Sequence, residues 1–187
     1  MSLLRVFRED TADSYEEFTL YESIAETLRA AGILFERWIA DRDLADDASQ
    51  EEILAAYDAP VRELMRKRNF VTADVISVQS QMPNHSELRQ KFLNEHTHSE
   101  DEARFFVGGC GLFYIHKDEK VFAVLCERGD FIDLPPRTKH WFDMGPKPFL
   151  KVIRTFTTPE GWVADFTGSD IASRFPRFET LLPVTIA

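Results

Sequence analysis

The chain has 187 residues, 44% hydrophobic and 29% charged, with a net charge of −10 at neutral pH. That length makes one domain with a substantial core the expectation, and no segment approaches the ~20 uncharged apolar residues of a membrane span. The acidic excess argues against a nucleic-acid partner, which needs a basic footprint; it lies wholly in residues 1–60, with 15 acidic and 5 basic side chains, and reads as a solvated face.

The opening MSLLRVFRED lacks the apolar stretch and cleavage site of a signal peptide. Two cysteines, Cys110 and Cys126, make no disulfide framework and sit in apolar runs, as buried free thiols do. A cytoplasmic protein is expected. In chain order, Leu3–Phe7 reads as a short strand, followed by helices. Ile24, Leu28 and Ala31 share a helical face in Ser23–Ala31. A second helical pattern runs from Gln50 to Arg68, with Pro60 placed to kink or divide it. A third short helix, Glu87–Leu93, leads towards a histidine-rich segment.

From about residue 71 the texture changes. Val71–Val78, Arg104–Val107, Gly111–His116, Val121–Glu127, Phe131–Leu134 and Phe149–Phe156 are short and rich in β-branched or aromatic residues. Gly108-Gly109, Lys117–Lys120, Gly129-Asp130 and Gly145-Pro146 read as turns between them. The fold class expected is mainly β with N-terminal helices, an antiparallel sandwich or barrel. One domain spans 1–187: a helical part over 1–70 packed on the barrel, a metal-binding barrel over 71–165, and an extension over 166–187.

The chemistry concentrates in His96-Thr-His98-Ser-Glu-Asp-Glu102 and in His140, which ends the stretch from Gly129 through Pro135. A lone H-x-H is more often an exposed or structural pair than a ligand pair. Here three of five histidines join a glutamate at a fixed offset and a Gly-x5-Pro-x4-His segment. Neutral imidazoles and one carboxylate suit a divalent iron, nickel or manganese ion, so His96, His98, Glu102 and His140 are the expected ligands. A strand puts both rings of H-x-H on one face, whereas a helix would turn them about 200° apart. His85 and His116 have no such partners and read as surface or turn histidines.

These segments resemble the cupins, whose jelly-roll barrel carries the motifs G-x5-H-x-H-x3,4-E-x6-G and G-x5-P-x-G-x2-H-x3-N. His96, His98, Glu102 and Gly109 match the first; Gly129, Pro135 and His140 match the second. Gln90, Arg137 and Met144 stand where the motifs carry glycine, glycine and asparagine. A narrower resemblance covers residues 91–164. Glu95-His-x-His-x3-Glu102-x-Arg104, Gly109-x-Gly111-x-Phe113, the Gly129–Phe142 segment, Arg154-x-Phe156 and Trp162-Val163 are similar to the acireductone dioxygenase family.

The resemblance implies a cupin-type antiparallel jelly-roll β-barrel and a role in methionine salvage. The enzyme would bind one Fe(II) or Ni(II) per chain and use O2 to cleave 1,2-dihydroxy-3-keto-5-methylthiopentene. Iron would give 4-methylthio-2-oxobutanoate and formate. Nickel would give 3-methylthiopropionate, carbon monoxide and formate. No nucleic-acid or membrane partner is expected, and the chain is expected to be a monomer.

Strand alternation puts Arg104 on the interior face of Glu102, where its charge would stabilise a substrate dianion; the alternative is an arginine reaching solvent at a strand end. Arg154 alternates with Val152 and Phe156 and is a second substrate-binding candidate. Glu95 and Asp101 flank the ligands at odd positions. They are expected to hydrogen-bond the histidines or attract the metal during loading, with Asp101 also a candidate general base, or else to be solvated turn acids. Phe92, Phe105, Phe142 and Trp162 are candidates for a pocket holding the methylthio tail, since thioethers pack well on aromatic rings. Two rivals remain open. One is another cupin enzyme: a quercetinase-like dioxygenase, a decarboxylase or a sugar isomerase. The other is a cupin that binds a small molecule without catalysis.

Overall fold

Two antiparallel sheets share one long strand, and that sharing closes the barrel. The structure is a computed structural model and describes residues 2–159 and 163–182. Strands β1 (Leu3–Arg8) and β2 (Thr11–Phe18) form a hairpin, followed by helix α1 (Tyr21–Ala30) and strand β3 (Leu34–Arg37). Helices α2 (Gln50–Ala56) and α3 (Asp58–Arg68), strand β4 (Thr72–Gln79) and helix α4 (His85–Phe92) precede the ligand-bearing strands. These are β5 (His96–Thr97), β6 (Glu102–Lys117), β7 (Lys120–Glu127), β8 (Asp130–Leu134), β9 (Lys139–Asp143) and β10 (Phe149–Phe156). β11 (Asp165–Phe166) and the short helices α5 (Ile171–Arg174) and α6 (Phe178–Leu181) complete the chain.

One sheet runs β11-β5-β9-β6-β7-β1-β2. The other runs β4-β10-β6-β8-β3. β6 serves both: residues 102–109 pair with β10 and β8, and residues 110–117 pair with β7 and β9. The Gly108-Gly109 pair, expected as a turn, lies inside this strand, where it leaves one sheet for the other. The β10 register shifts there between Lys151 and Val152, and Gly109 has φ +66°. A Cβ on Gly109 would stand 1.7 Å from the Phe149 carbonyl oxygen, so only glycine lets the strands approach this closely.

Both faces of the central strands are buried, which explains why β6, β7 and β8 read as continuous apolar runs. The interior holds Phe106, Phe113, Ile132, Phe142 and Val152, joined by Ile24 and Leu28 of α1. Outside, α2 and α3 lay Ile53, Tyr57, Val61 and Leu64 on Phe105, Phe131 and Ile153. α5 and α6 cover Tyr114, Leu125 and Trp141 with Ile171, Ala172 and Leu181.

The helical pattern over 50–68 is divided into two helices, three residues before Pro60. Ser49 caps α2 through a reciprocal bond pair with Glu52, and the break falls at Tyr57. Pro60 sits in the first turn of α3, where its missing N–H costs no helical bond. The N-terminal part also contributes strands β2 and β3. β2 is a largely exposed, acidic edge strand, so no hydrophobic alternation announces it. Among the described residues no helix is long and apolar enough to cross a membrane.

Candidate metal centre

Two strands and a loop bring the histidines together. His96 lies on β5 and pairs across the sheet with His140 of β9; His98 follows in the loop leading to β6. The H-x-H strand is therefore shorter than its pattern suggests, ending at Thr97. The rings still converge: centroids lie 5.0 Å apart for His96–His98, 4.4 Å for His96–His140 and 5.2 Å for His98–His140. Their ligating nitrogens all fall within 4.8 Å of one another.

Backbone carbonyls orient all three rings. His96 Nδ1 donates to Asn94 O (2.7 Å), His98 Nδ1 to Val163 O (3.1 Å) and His140 Nδ1 to Thr138 O (2.8 Å). A neutral ring that donates from Nδ1 presents an unprotonated Nε2. Glu102, 1% exposed, turns Oε2 towards two of these atoms, 2.7 Å from His140 Nε2 and 3.3 Å from His98 Nε2. Glu102 Oε2 and His140 Nε2 are buried and find no hydrogen-bond partner outside this group. Lone pairs facing one another at this range repel unless a cation lies among them, so the four side chains fit a divalent metal.

The electrostatics agree. Burial works against the Glu102 charge, yet Arg104 and His140 hold its carboxyl well below the usual range. Arg104 is 5% exposed, with Nη2 2.5 Å from Glu102 Oε1, as strand alternation requires. Its guanidinium lies 4.9 Å from the Phe113 ring centroid and 5.4 Å from that of Phe142, a cation–π seat for a buried charge. Gly111 makes this arrangement possible, since a Cβ there would meet Phe142 Cζ at 2.1 Å.

Other expected residues distribute unevenly. Arg154 is the cross-strand partner of Arg104, is partly exposed, and holds Asp74 with two bonds (2.8 and 2.5 Å). Phe92 packs edge-on against Phe142 at 6.3 Å. Phe105 points the other way: it packs against Trp38 and Tyr57 outside the barrel, because it is odd in register with Glu102 and Arg104. Trp162 lies outside the described residues. Glu95 is buried, but its side chain hydrogen-bonds none of the ligand histidines; its carboxylate meets His116 and Thr167. Asp101 is half-buried, 3.9 Å from Arg68. Phe113 is not among the expected site residues, although its ring lies 6.1 Å from His140. The signal was its place two residues after Gly111 on the interior register.

Comparison with known proteins places this geometry. Residues 4–164 match the family described as ARD/ARD'. The chain belongs to that family. It is 54% identical to the acireductone dioxygenase of Methylococcus capsulatus, over 97% of this chain and 98% of the relative. It is 50% identical to that of Aquifex aeolicus, over 97% and 99% respectively. A solved acireductone dioxygenase from Bacillus anthracis, with a cadmium ion in its active center, superposes with a TM-score of 0.77 at 30% identity. That match covers 89% of this chain and 98% of the solved one, and the mainly β cupin fold is shared. The rival readings, a different cupin enzyme or a non-catalytic binder, are not favoured.

Burial and the neighbouring His140 push His96 down to about 4. The unfolded ring, with an ordinary value near 6.5, takes up a proton first as pH falls. Metal-free protein should therefore lose on the order of 3 kcal/mol of stability between about pH 6.5 and 4 through this group. Urea denaturation across that range should show a clearly shallower pH dependence in His96→Gln.

Proposed function

We propose that this chain is an acireductone dioxygenase of methionine salvage, acting as a cytoplasmic monomer. It cleaves 1,2-dihydroxy-3-keto-5-methylthiopentene with O2. The observation that carries the reading is the buried Glu102 carboxylate facing two imidazole nitrogens with Arg104 at its side. Near-full-length similarity to acireductone dioxygenases supports the substrate class.

His96, His98, Glu102 and His140 are the proposed ligands of one Fe(II) or Ni(II). A divalent ion held there supplies a Lewis-acidic anchor for two neighbouring oxygens of the enediol. The rest falls to the protein. Arg104 provides fixed positive charge next to the substrate oxygens and favours the doubly ionised enediol that O2 attacks. Phe113 and Phe142 hold the guanidinium in place and exclude water, which strengthens its field. Phe92 and Phe142 offer aromatic surface to the methylthio tail. Arg154, tied to Asp74, adds positive charge on the same sheet face. Asp101, half-exposed beside the ligand segment, is assigned to attracting the cation during loading.

Metal-free protein reconstituted anaerobically with iron or nickel, then given the acireductone and O2, tests the reading. Both forms should consume O2, iron giving 4-methylthio-2-oxobutanoate and formate, nickel giving 3-methylthiopropionate, carbon monoxide and formate. Absence of turnover in both forms would overturn it.

Arg104→Ala should retain the metal but lose on the order of 10²–10³ in turnover, as when one preorganised electrostatic donor is removed. Arg104→Lys should recover only part, since a point charge does not reproduce the planar fork. The ultraviolet spectrum of substrate mixed anaerobically with metal-loaded Arg104→Ala checks the cause: a dianion spectrum forming as in the parent protein removes Arg104 from this role.

A further inference from the structure

β5 carries His96 yet is, with β11, one of the two most weakly tied strands of its sheet. It is two residues long, meets β9 only through His96↔His140, and meets β11 through Thr97↔Asp165 and His96↔Phe166. So little backbone pairing defines position and register poorly, and side chains must supply the rest. The residue before β5 is Glu95, 2% exposed, on the opposite face from the metal-facing His96 ring.

Its carboxylate is fully engaged. Oε1 accepts from His116 Nδ1 at 2.6 Å, and Oε2 accepts from Thr167 Oγ1 at 2.6 Å. The Glu95 carbonyl accepts from the Thr167 N–H at 3.1 Å. His116 lies on β6, paired through the backbone with Lys139 of β9. The Glu95–His116 bond therefore reaches across β9 and ties β5 to the strand that also carries Glu102 and Arg104. The far side of the ring, Nε2, lies 2.8 Å from Glu9 Oε2 at the β1–β2 turn.

Glu95 also stands between the two ends of another bond. The Asn94 carbonyl orients His96 through Nδ1, and Glu95 is the residue joining them. Holding the Glu95 side chain fixes the carbonyl and the ring together. Given the metal centre proposed above, we infer that His116 is a positioning residue for that centre, acting through Glu95 to fix the place of His96. No local pattern points to this role, because His116 stands alone in its own segment.

The two ring nitrogens allow a selective test. In His116→Asn the amide nitrogen stands near the place of Nδ1 and keeps the bond to Glu95. In His116→Gln it stands near the place of Nε2 and keeps only the bond towards Glu9. Nickel affinity of the folded proteins is measured by competition with a chelator, and thermal midpoints are measured on the metal-free forms. His116→Gln should lose about 10–100-fold in nickel affinity, the usual cost of removing a partner that orients a ligand. His116→Asn should stay within about threefold of the parent, although both variants lose one bond. Glu95→Ala should lose at least as much, since it also removes the bond from Thr167, and adding His116→Gln to it should cost nothing further, since their shared bond is already gone. Equal affinities in the Asn and Gln variants, or additive losses with Glu95→Ala, would overturn the inference. Failure of the parent protein to bind nickel stoichiometrically would instead overturn the metal centre itself.

Discussion

Glu102 carries a charge inside a barrel whose other lining is largely aromatic and aliphatic, and an uncompensated carboxylate there would cost several kcal/mol. Arg104 at 2.5 Å balances that charge. In the proposed site a divalent ion then leaves two positive charges unmatched, which is the charge a doubly ionised enediol brings. The same pair thus favours metal over an empty pocket and a dianion over a neutral substrate. The three imidazoles donate from Nδ1 to backbone carbonyls, and as neutral ligands they would add no further negative charge.

The fold is arranged to keep these groups from relaxing. β6 delivers Glu102 and Arg104 while in one sheet and Phe113 while in the other, and β9 delivers His140 and Phe142. The two arginine-facing rings and the two charges therefore ride on paired strands rather than on loops, which limits their motion. Helices α2 and α3 outside one sheet, and α5 and α6 outside the other, bury the strands on both faces. Two glycines set the close approaches: Gly109 where β6 changes sheets, and Gly111 where the Phe142 ring crosses the strand.

The candidate cluster was legible because residue chemistry and local spacing suffice to propose it: H-x-H-x3-E and a distant proline-led histidine need no tertiary knowledge. Arg104 was legible through alternation from Glu102. The same alternation places Phe106 inside and Phe105 outside, so the tail-pocket assignment of Phe105 failed on a register rule already in hand. Gly108-Gly109 gives one signal for two structures, a turn or a bulge, and pairing with β10 decides between them. β2, β3 and β5 are polar or only two to eight residues long, and their strand character comes from partners elsewhere in the chain. The carbonyls that orient the histidines, and the partners of His116 at positions 9 and 95, have no local signature at all.

The central claim is that three imidazoles and one carboxylate share a single metal. X-ray absorption at the metal edge of protein loaded with stoichiometric nickel tests it most directly. The account predicts a centre of about six nitrogen and oxygen neighbours, with the multiple-scattering pattern of three imidazoles and no sulfur. Loss of one imidazole contribution in His140→Ala should leave the other two in place. Two or fewer imidazoles in the parent protein, or a sulfur neighbour drawn from Cys126, would contradict the account.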